Sequence, residues 1–135
     1  MKFGILLPTR MILLDNAVPK NANSLLKIAS IVDSAGLDSV WVGDSLTAKP
    51  RLEPLSVLSA ISSTTKRVRI GTAVILAGLR NPVLLAHAAS TIDLMSEGRL
   101  VLGMGVGGAF NSQQKQEWAN VGVDHSTRAN RFEEV

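Results

Sequence analysis

The 135-residue sequence contains no cysteine. Disulfide bridges and thiolate metal sites are therefore excluded, and a reducing compartment is the natural setting. Long apolar runs are also missing, because Pro8 and Arg10 interrupt the amino-terminal stretch MKFGILLPTRMILL and no small-residue cleavage site follows it. No other stretch approaches the length of a membrane span. We therefore expect a cytoplasmic protein that does not enter a membrane.

Aromatic residues and concentrated charge are scarce as well. Only 4% of the residues are aromatic, and 14 Lys and Arg against 11 Asp and Glu leave a net charge of +3. The longest basic cluster is KRVR at 66–69, whereas a nucleic-acid surface needs a denser basic stripe with aromatic residues between the charges. The composition argues against nucleic-acid binding and, at 46% hydrophobic residues, favours one globular domain over residues 1–135.

The hydrophobic pattern alternates between short apolar runs and segments with helical spacing. It predicts strands over 2–8, 37–44, 68–76 and 99–105, and helices over 24–36, 53–65, 81–98 and 126–135. Asn81 and Ser126 are the expected N-caps of the last two helices. Continuous apolar strands of this kind are typical of a parallel sheet. Either a doubly wound sheet or part of a (β/α)8 barrel fits, and both place their chemistry at the carboxyl ends of the strands.

The stretch GRLVLGMGVGG at 98–108 matches the spacing G-x-G-x-x-G at Gly103, Gly105 and Gly108. A dinucleotide site would also need a helix that begins within the motif, and an acidic residue about twenty positions later at a strand end. The segment AFNSQQKQEWANVG is a poor core-facing helix, and Asp124 follows a stretch too short for a buried strand. Two other interpretations remain: a surface cleared for a flat ring, or a flexible connector.

Three segments taken in chain order resemble the bacterial luciferase-like monooxygenase family: AGLDSVWVGDSL, RVRIGTAVILAGLRNPVLLAHAASTIDLMSEGRLVLGMGVGG and EWANVGVDHSTRANRFEE. The ordered set is specific, although no single motif is diagnostic, and it covers essentially the whole chain. The resemblance implies a (β/α)8 TIM barrel, FMN or the deazaflavin coenzyme F-420, and hydride transfer between that cofactor and a small organic substrate. The GDSL…PRLEPL pattern looks most like the deazaflavin-type oxidoreductases.

The same resemblance implies a site. Asp44 and Ser45 match an acidic-plus-histidine pair beside the reacting face of the ring, which makes them the candidate catalytic residues. Serine in place of histidine is a departure, because a hydroxyl cannot serve as an acid–base group near neutral pH. The bond Ala73–Val74 falls where family members carry a non-prolyl cis peptide. The implied cofactor contacts are Leu7, Pro8, Asp44, Ser45, Thr72, Ala73, Val74, Gly105, Val106 and Gly107.

Other charged and titratable residues have simpler interpretations. Lys49, Arg51 and Arg80 are expected on the loops at the carboxyl ends, either attracting an anionic cofactor tail or forming a solvated rim. We expect Asp93, Glu97 and Arg99 to form an ion-pair cluster at the opposite end of the sheet. His87 and His125 lack partners at metal spacing, so we expect no metal site.

A complete barrel has eight strands, typically in about 250 residues, and its phosphate site commonly follows strands seven and eight. Four βα units are predicted here, with the sequence stopping inside the fourth helix at NRFEEV. Four strands leave two open sheet edges and an uncovered inner face. We expect a homo-oligomer or association with the missing barrel half. The alternative is a non-catalytic half-barrel module that binds no cofactor alone.

Overall fold

The computed structural model describes residues 1–15 and 21–135. The strands are β1 (Gly4–Leu6), β2 (Ser39–Val42), β3 (Arg69–Thr72), β4 (Ile75–Leu76), β5 (Leu100–Val101) and β6 (Met104–Gly105). The helices are α1 (Met11–Leu14), α2 (Asn23–Ser34), α3 (Pro54–Thr64), α4 (Pro82–Met95), α5 (Ser112–Asn120) and α6 (Arg128–Glu133), with single 3-10 turns at Ala77–Leu79 and His125–Thr127.

The main sheet is parallel and has the order β1-β2-β3-β5. Its strands therefore follow one another across the sheet in chain order, whereas a doubly wound sheet reverses direction at a switch point. Strands β4 and β6 continue beyond β3 and β5 as a separate parallel pair. This sequential order is the arrangement of a barrel wall.

One face of the main sheet carries the hydrophobic core. The side chains of Val40, Val42 and Ile70 are completely buried there. The helices contribute Leu25, Ala29 and Val32 from α2, Leu55, Leu58 and Ile61 from α3, and Leu85 and Ile92 from α4. These helical residues recur at three- and four-residue spacing, which is why the sequence pattern located the helices. Burial of this one apolar face holds the helices against the sheet.

The opposite face of the sheet is uncovered by the described helices. Because side chains alternate along a strand, the register places Leu6, Trp41 and Val101 together on this face, and Leu6 is 55% exposed. The Trp41 indole lies across two glycines: a Cβ on Gly71 would stand 2.6 Å from the ring, and one on Gly4 would stand 2.7 Å from the indole nitrogen. Helices on one face only fit a barrel wall.

The predicted caps have mixed outcomes. The Asn81 side chain accepts hydrogen bonds from the main-chain nitrogens of Val83 and Leu84, as expected of an N-cap. Ser126 is the wrong cap for the last helical segment, because Asp124 precedes the 3-10 turn and accepts from the nitrogen of Ser126. The charged Asp124 carboxylate takes the capping role, and the Ser126 hydroxyl is a second donor to it.

Two strand predictions are wrong in detail, and one helix was not predicted. The segments 68–76 and 99–105 are each divided into two short strands, with breaks at Ala73–Val74 and at Leu102–Gly103. The polar stretch after the glycines contains helix α5, which the weak apolar pattern did not predict. Trp118, which is 1% exposed, is the large apolar side chain that packs this helix against the rest of the protein.

The predicted ion-pair cluster at the amino end of the sheet is also wrong. Arg99 donates instead to the carbonyl oxygens of Ser62, Thr65, Val68 and Ser96, and to the Thr65 hydroxyl, at 2.7–3.1 Å. Asp93 accepts from the main-chain nitrogen of Leu100. A guanidinium with five donors satisfies several helix-end and loop carbonyls at once, and this outcompetes pairing with an exposed carboxylate.

Candidate functional site

The predicted site lies where the strands end at the carboxyl edge of the sheet. Asp44 follows β2, and its side chain is only 2% exposed. One of its carboxylate oxygens accepts from the nitrogen of Leu76 at 2.8 Å and from Arg80 at 2.5 Å, and the other accepts from Arg80 at 3.1 Å. Asp44 therefore ties the loop after β2 to strand β4 and to the turn before α4.

Arg80 is held as a cation by this arrangement. Burial alone would lower the pKa of its guanidinium, but the hydrogen bond and the negative charge of Asp44, together with Glu53, outweigh burial and raise the pKa above its ordinary value. Glu53 lies 3.3 Å from the second guanidinium nitrogen and is far more exposed than Asp44. Arg80 is thus engaged inside the protein, and the cationic side chains left on the neighbouring loop are Lys49 and Arg51.

Ser45 is buried and bonded on both sides. Its hydroxyl donates to Glu117 at 2.8 Å and accepts from the nitrogen of Lys49 at 2.9 Å. The same Glu117 oxygen accepts from the nitrogens of Thr47 at 2.8 Å and Ala48 at 3.1 Å. A carboxylate that is 3% exposed thereby fixes the whole loop that follows Asp44.

Glu117 is the residue of this region that the sequence analysis missed, because the helix carrying it was not predicted. The available signal was local: Asn111 is a good N-cap, and QQKQE is a run of strong helix formers. In the structure Asn111 accepts from the nitrogen of Gln114 and begins α5. Helix α5 then presents Glu117 and Trp118 inward as adjacent buried residues.

The peptide bond Ala73–Val74 is cis, as the resemblance implied. Both residues are exposed at the carboxyl edge, with Val74 42% exposed. The Val74 side chain lies directly beside Gly105, where a Cβ would stand 2.6 Å from a Val74 methyl group. Thr72 lies below them with its hydroxyl donating to the carbonyl of Gly103 at 2.7 Å. Four predicted residues, Thr72, Ala73, Val74 and Gly105, are therefore brought together.

The glycines at 103–108 serve close packing within the protein. A Cβ on Gly107 would stand 2.9 Å from the Trp118 ring, and one on Gly103 would overlap the Thr72 carbonyl oxygen. The Trp118 indole nitrogen donates to the carbonyl of Gly108 at 3.0 Å. Helix α5 begins only at Ser112, beyond the glycines. The dinucleotide interpretation fails on this geometry and on the strand order.

The remaining predicted contacts are placed differently from one another. Leu7 is 1% exposed and packs in the hydrophobic core, whereas Pro8 after it is exposed at the carboxyl edge. Val106 is half-buried in the glycine-rich segment. A cofactor on this edge would meet Pro8 and the Ala73–Val74 segment more readily than the Leu7 side chain.

A small cavity of about 190 Å³ lies beside the Asp44–Arg80 pair. Its lining includes residues from the loop after β2 and from α5, namely Asp44, Ser45, Lys49, Arg51, Gln114 and Glu117. In the described residues, no three His, Asp or Glu side chains are grouped as metal ligands. None of the described helices is long and apolar enough to span a bilayer.

Comparison with known proteins identifies the family of this chain. The model of the luciferase-like monooxygenases matches residues 1–135. The chain belongs to this family. It is 39% identical over 103 residues to an F420-dependent glucose-6-phosphate dehydrogenase of Amycolatopsis mediterranei, an alignment that covers 70% of this chain and 31% of that protein.

Two solved structures share the fold of this chain. The chain superimposes on monooxygenase RslO1 from Streptomyces bottropensis with a TM-score of 0.83 at 26% identity, covering 99% of this chain and 40% of that one. The oxygenating constituent of 3,6-diketocamphane monooxygenase from Pseudomonas putida, solved with FMN, gives 0.79 at 20% identity, covering 99% and 37%. The likeness confirms that these elements are part of a TIM-barrel-type wall. The chain spans about a third of the length of the curated relatives it matches.

Proposed function

We propose that residues 1–135 form the amino-terminal part of a luciferase-like TIM-barrel domain in a cytoplasmic oxidoreductase that uses FMN or coenzyme F-420. The observation that carries the proposal is the family match over the whole chain, and a relative that is F420-dependent and a structural neighbour in complex with FMN support the two cofactors. When bound, such a cofactor supplies hydride transfer to or from an organic substrate. The described residues supply one wall of its site.

The carboxyl edge fits a planar ring. Ala73 and Val74 are exposed and uncharged, and Gly105 beside them adds no side chain. The polar groups nearest to them are already satisfied, since the Thr72 hydroxyl bonds to Gly103. This small apolar platform can lie against the face of a ring without leaving a polar group unpaired beneath it.

In this proposal Asp44 and Ser45 have a structural role. Both Asp44 oxygens are occupied by Arg80 and Leu76, and the Ser45 hydroxyl is occupied by Glu117 and Lys49. Neither side chain is therefore free to exchange a proton with a substrate. They hold the loop after β2 in place beside the ring, and a substituted Ser45→His would introduce the missing acid–base group.

The uncovered sheet face supports a second candidate, a half-barrel module that binds cofactor only after further polypeptide closes it. Leu6 is 55% exposed on that face, and β1 and β5 are open edges of the described sheet. We propose that a second barrel half or a second copy of the chain covers this face. Analytical ultracentrifugation gives the association state, and thermal unfolding gives the cooperativity of melting. A monomer that melts cooperatively on its own would contradict this proposal.

Titration with FMN and with oxidised and reduced coenzyme F-420, followed by absorbance and fluorescence, tests the cofactor proposal. We expect a spectral change with one cofactor, its loss in Val74→Glu and its retention in Val83→Glu, which places the same charge on an exposed position of α4. Wild-type protein that changes neither spectrum would favour the non-catalytic module. A Val74→Glu variant that binds as tightly as wild type would remove the platform from the site.

A further inference from the structure

The cavity beside Asp44 is too small for a whole cofactor or substrate. Its volume is about 190 Å³, below the roughly 300–1,000 Å³ of pockets that enclose complete small molecules. It opens between the loop after β2 and helix α5, on the same edge as the proposed ring platform. A cavity of this size and place accommodates one end group of a larger molecule.

Both carboxylates of this cavity accept hydrogen bonds from groups other than Arg51 and Lys49. Asp44 is neutralised by Arg80, with both oxygens engaged. Glu117 receives a hydroxyl and two main-chain N–H donors on one oxygen. Neither carboxylate forms a hydrogen bond or an ion pair with the cationic side chains of the same cavity, in the part of the chain that the structure describes.

Arg51 lines the cavity and is partly exposed. Its guanidinium lies beside Gly43, where a Cβ would stand 3.2 Å from both Nε and Cζ. Its main-chain nitrogen donates to the Ser45 carbonyl at 3.1 Å, which closes the loop and fixes the start of the side chain. Across residues 1–15 and 21–135 the guanidinium has no hydrogen bond and no ion pair, whereas Arg80 and Arg131 are both bonded. Lys49 borders the same cavity.

We propose that Arg51, with Lys49 beside it, binds an oxyanion end group, a phosphate or a carboxylate, on the substrate. A planar guanidinium offers paired N–H donors that match the oxygens of such a group, and Lys49 adds a second positive charge. The fixed loop and the close approach to Gly43 lower the entropic cost of ordering the arginine. The assignment to a substrate rests on the proposed function, whereas the oxyanion site itself does not.

A cofactor phosphate is the less suitable occupant. In barrels of this type the phosphate site is commonly formed by loops after strands seven and eight, whereas Arg51 follows the second strand of the main sheet. An end group held beside Asp44 leaves the rest of a substrate free to extend toward the Ala73–Val74 platform. The site would thereby select anionic substrates over neutral ones of the same shape.

Two-dimensional NMR of the arginine Nε–H groups tests the site without any cofactor. Titration with inorganic phosphate or with acetate should shift the Arg51 signal with a dissociation constant of about 1 mM for the better anion, and sodium chloride at equal ionic strength should not. Arg51→Gln should weaken phosphate or acetate binding by at least about tenfold. Arg51→Lys should give an intermediate loss, because it keeps the charge and loses the fork.

Lys66→Gln is the matched control, since it removes one exposed positive charge at the other end of the sheet and should leave anion binding unchanged. The phosphate and acetate arms distinguish the two end groups. The proposal would be overturned if a folded Arg51→Gln variant bound each anion as tightly as wild type does. It would also be overturned if neither phosphate nor acetate shifted the Arg51 signal. Anion binding that persists while FMN and coenzyme F-420 give no spectral change would retain this site and count only against cofactor binding by this chain alone.

Discussion

The Arg80 guanidinium lies 2.5 Å from the Asp44 carboxylate, with the aspartate side chain only 2% exposed. The pair joins the loop after β2 to the turn that begins α4, and the Leu76 nitrogen adds a further bond to Asp44. This ion pair engages both carboxylate oxygens of Asp44. It supplies rigidity at the carboxyl edge.

We expect Asp44→Asn to lower the free energy of unfolding by about 3 kcal/mol, because it leaves the half-buried Arg80 charge without its main partner. Chemical denaturation at pH 7 measures this loss. Glu53→Gln is the control: Glu53 also pairs with Arg80 but is more exposed, and glutamine keeps an acceptor for the Ser56 nitrogen. Its cost should stay below about 1 kcal/mol. Equal losses in the two variants would show that the Asp44–Arg80 ion pair contributes no more to stability than the Glu53–Arg80 pair.

Glu117→Ala should destabilise the protein by about 3–4 kcal/mol, since it strands the Ser45 hydroxyl and two main-chain N–H groups in a buried place. Glu117→Gln keeps an oxygen acceptor and should cost about 1–2 kcal/mol. Amide hydrogen exchange gives the sharper measurement, because Thr47 and Ala48 should exchange much faster in the alanine variant. Gln116→Ala, on the exposed side of α5, should change stability by less than about 0.5 kcal/mol. Unchanged exchange at Thr47 and Ala48 would contradict the loop-fixing role.

Gly107 and Gly122 separate backbone conformation from packing. Both have positive φ, 82° and 72°, but a Cβ on Gly107 would stand 2.9 Å from Trp118, whereas a Cβ on Gly122 meets nothing within 4 Å. Gly122→Ala should therefore cost about 1 kcal/mol from conformation alone. Gly107→Ala should cost about 1–3 kcal/mol more from overpacking. Thermal unfolding compares the two, and equal losses would mean that Trp118 moves aside freely.

Asp33 makes stability depend on pH at the amino end of the sheet. Burial raises the pKa of Asp33, but hydrogen bonds from the main-chain nitrogens of Lys66, Val68 and Arg67 outweigh it and lower the pKa below its ordinary value near 3.8. The stabilisation is therefore complete above that value and is lost as pH falls through the depressed pKa of the folded state.

We expect Asp33→Asn to lose about 1–2 kcal/mol at pH 7. The difference from wild type should shrink as the pH drops below about 3.8. Glu133→Gln, an exposed change of equal charge on α6, should show no such pH-dependent difference. A constant gap between wild type and Asp33→Asn from pH 7 to pH 2 would rule out the carboxylate as its origin.

The fold was predictable where a single physical signal dominated. Leu25, Ala29 and Val32 recur at helical spacing, and Asn81 before Pro82 begins α4 as its residue types predict. The barrel-type wall followed from continuous apolar strands and from the family resemblance. Helix α5 could not be found from periodicity, because one tryptophan and one buried glutamate anchor it, and neither makes an apolar stripe.

The candidate site was predictable in place but less so in role. Asp44, Ser45 and the Ala73–Val74 segment lie at the expected edge, since parallel strands bring their carboxyl ends together. The bonding of Asp44 to Arg80 and of Ser45 to Glu117 joins residues 36 and 72 positions apart, and local patterns carry no information about such pairs. The glycine spacing alone left two interpretations open, a surface for a flat ring or a flexible connector, whereas the contacts with Trp118 and Val74 explain Gly107 and Gly105.

Trp41 is an intrinsic fluorescence probe of the uncovered sheet face. Its indole rests on Gly4 and Gly71 and is only half-buried on the uncovered sheet face, whereas Trp118, the other tryptophan of the sequence, is already enclosed. Whatever covers that face removes water from Trp41 and leaves the surroundings of Trp118 as they were. A blue shift of the emission that disappears in Trp41→Phe would thus record the closing of the barrel wall in real time.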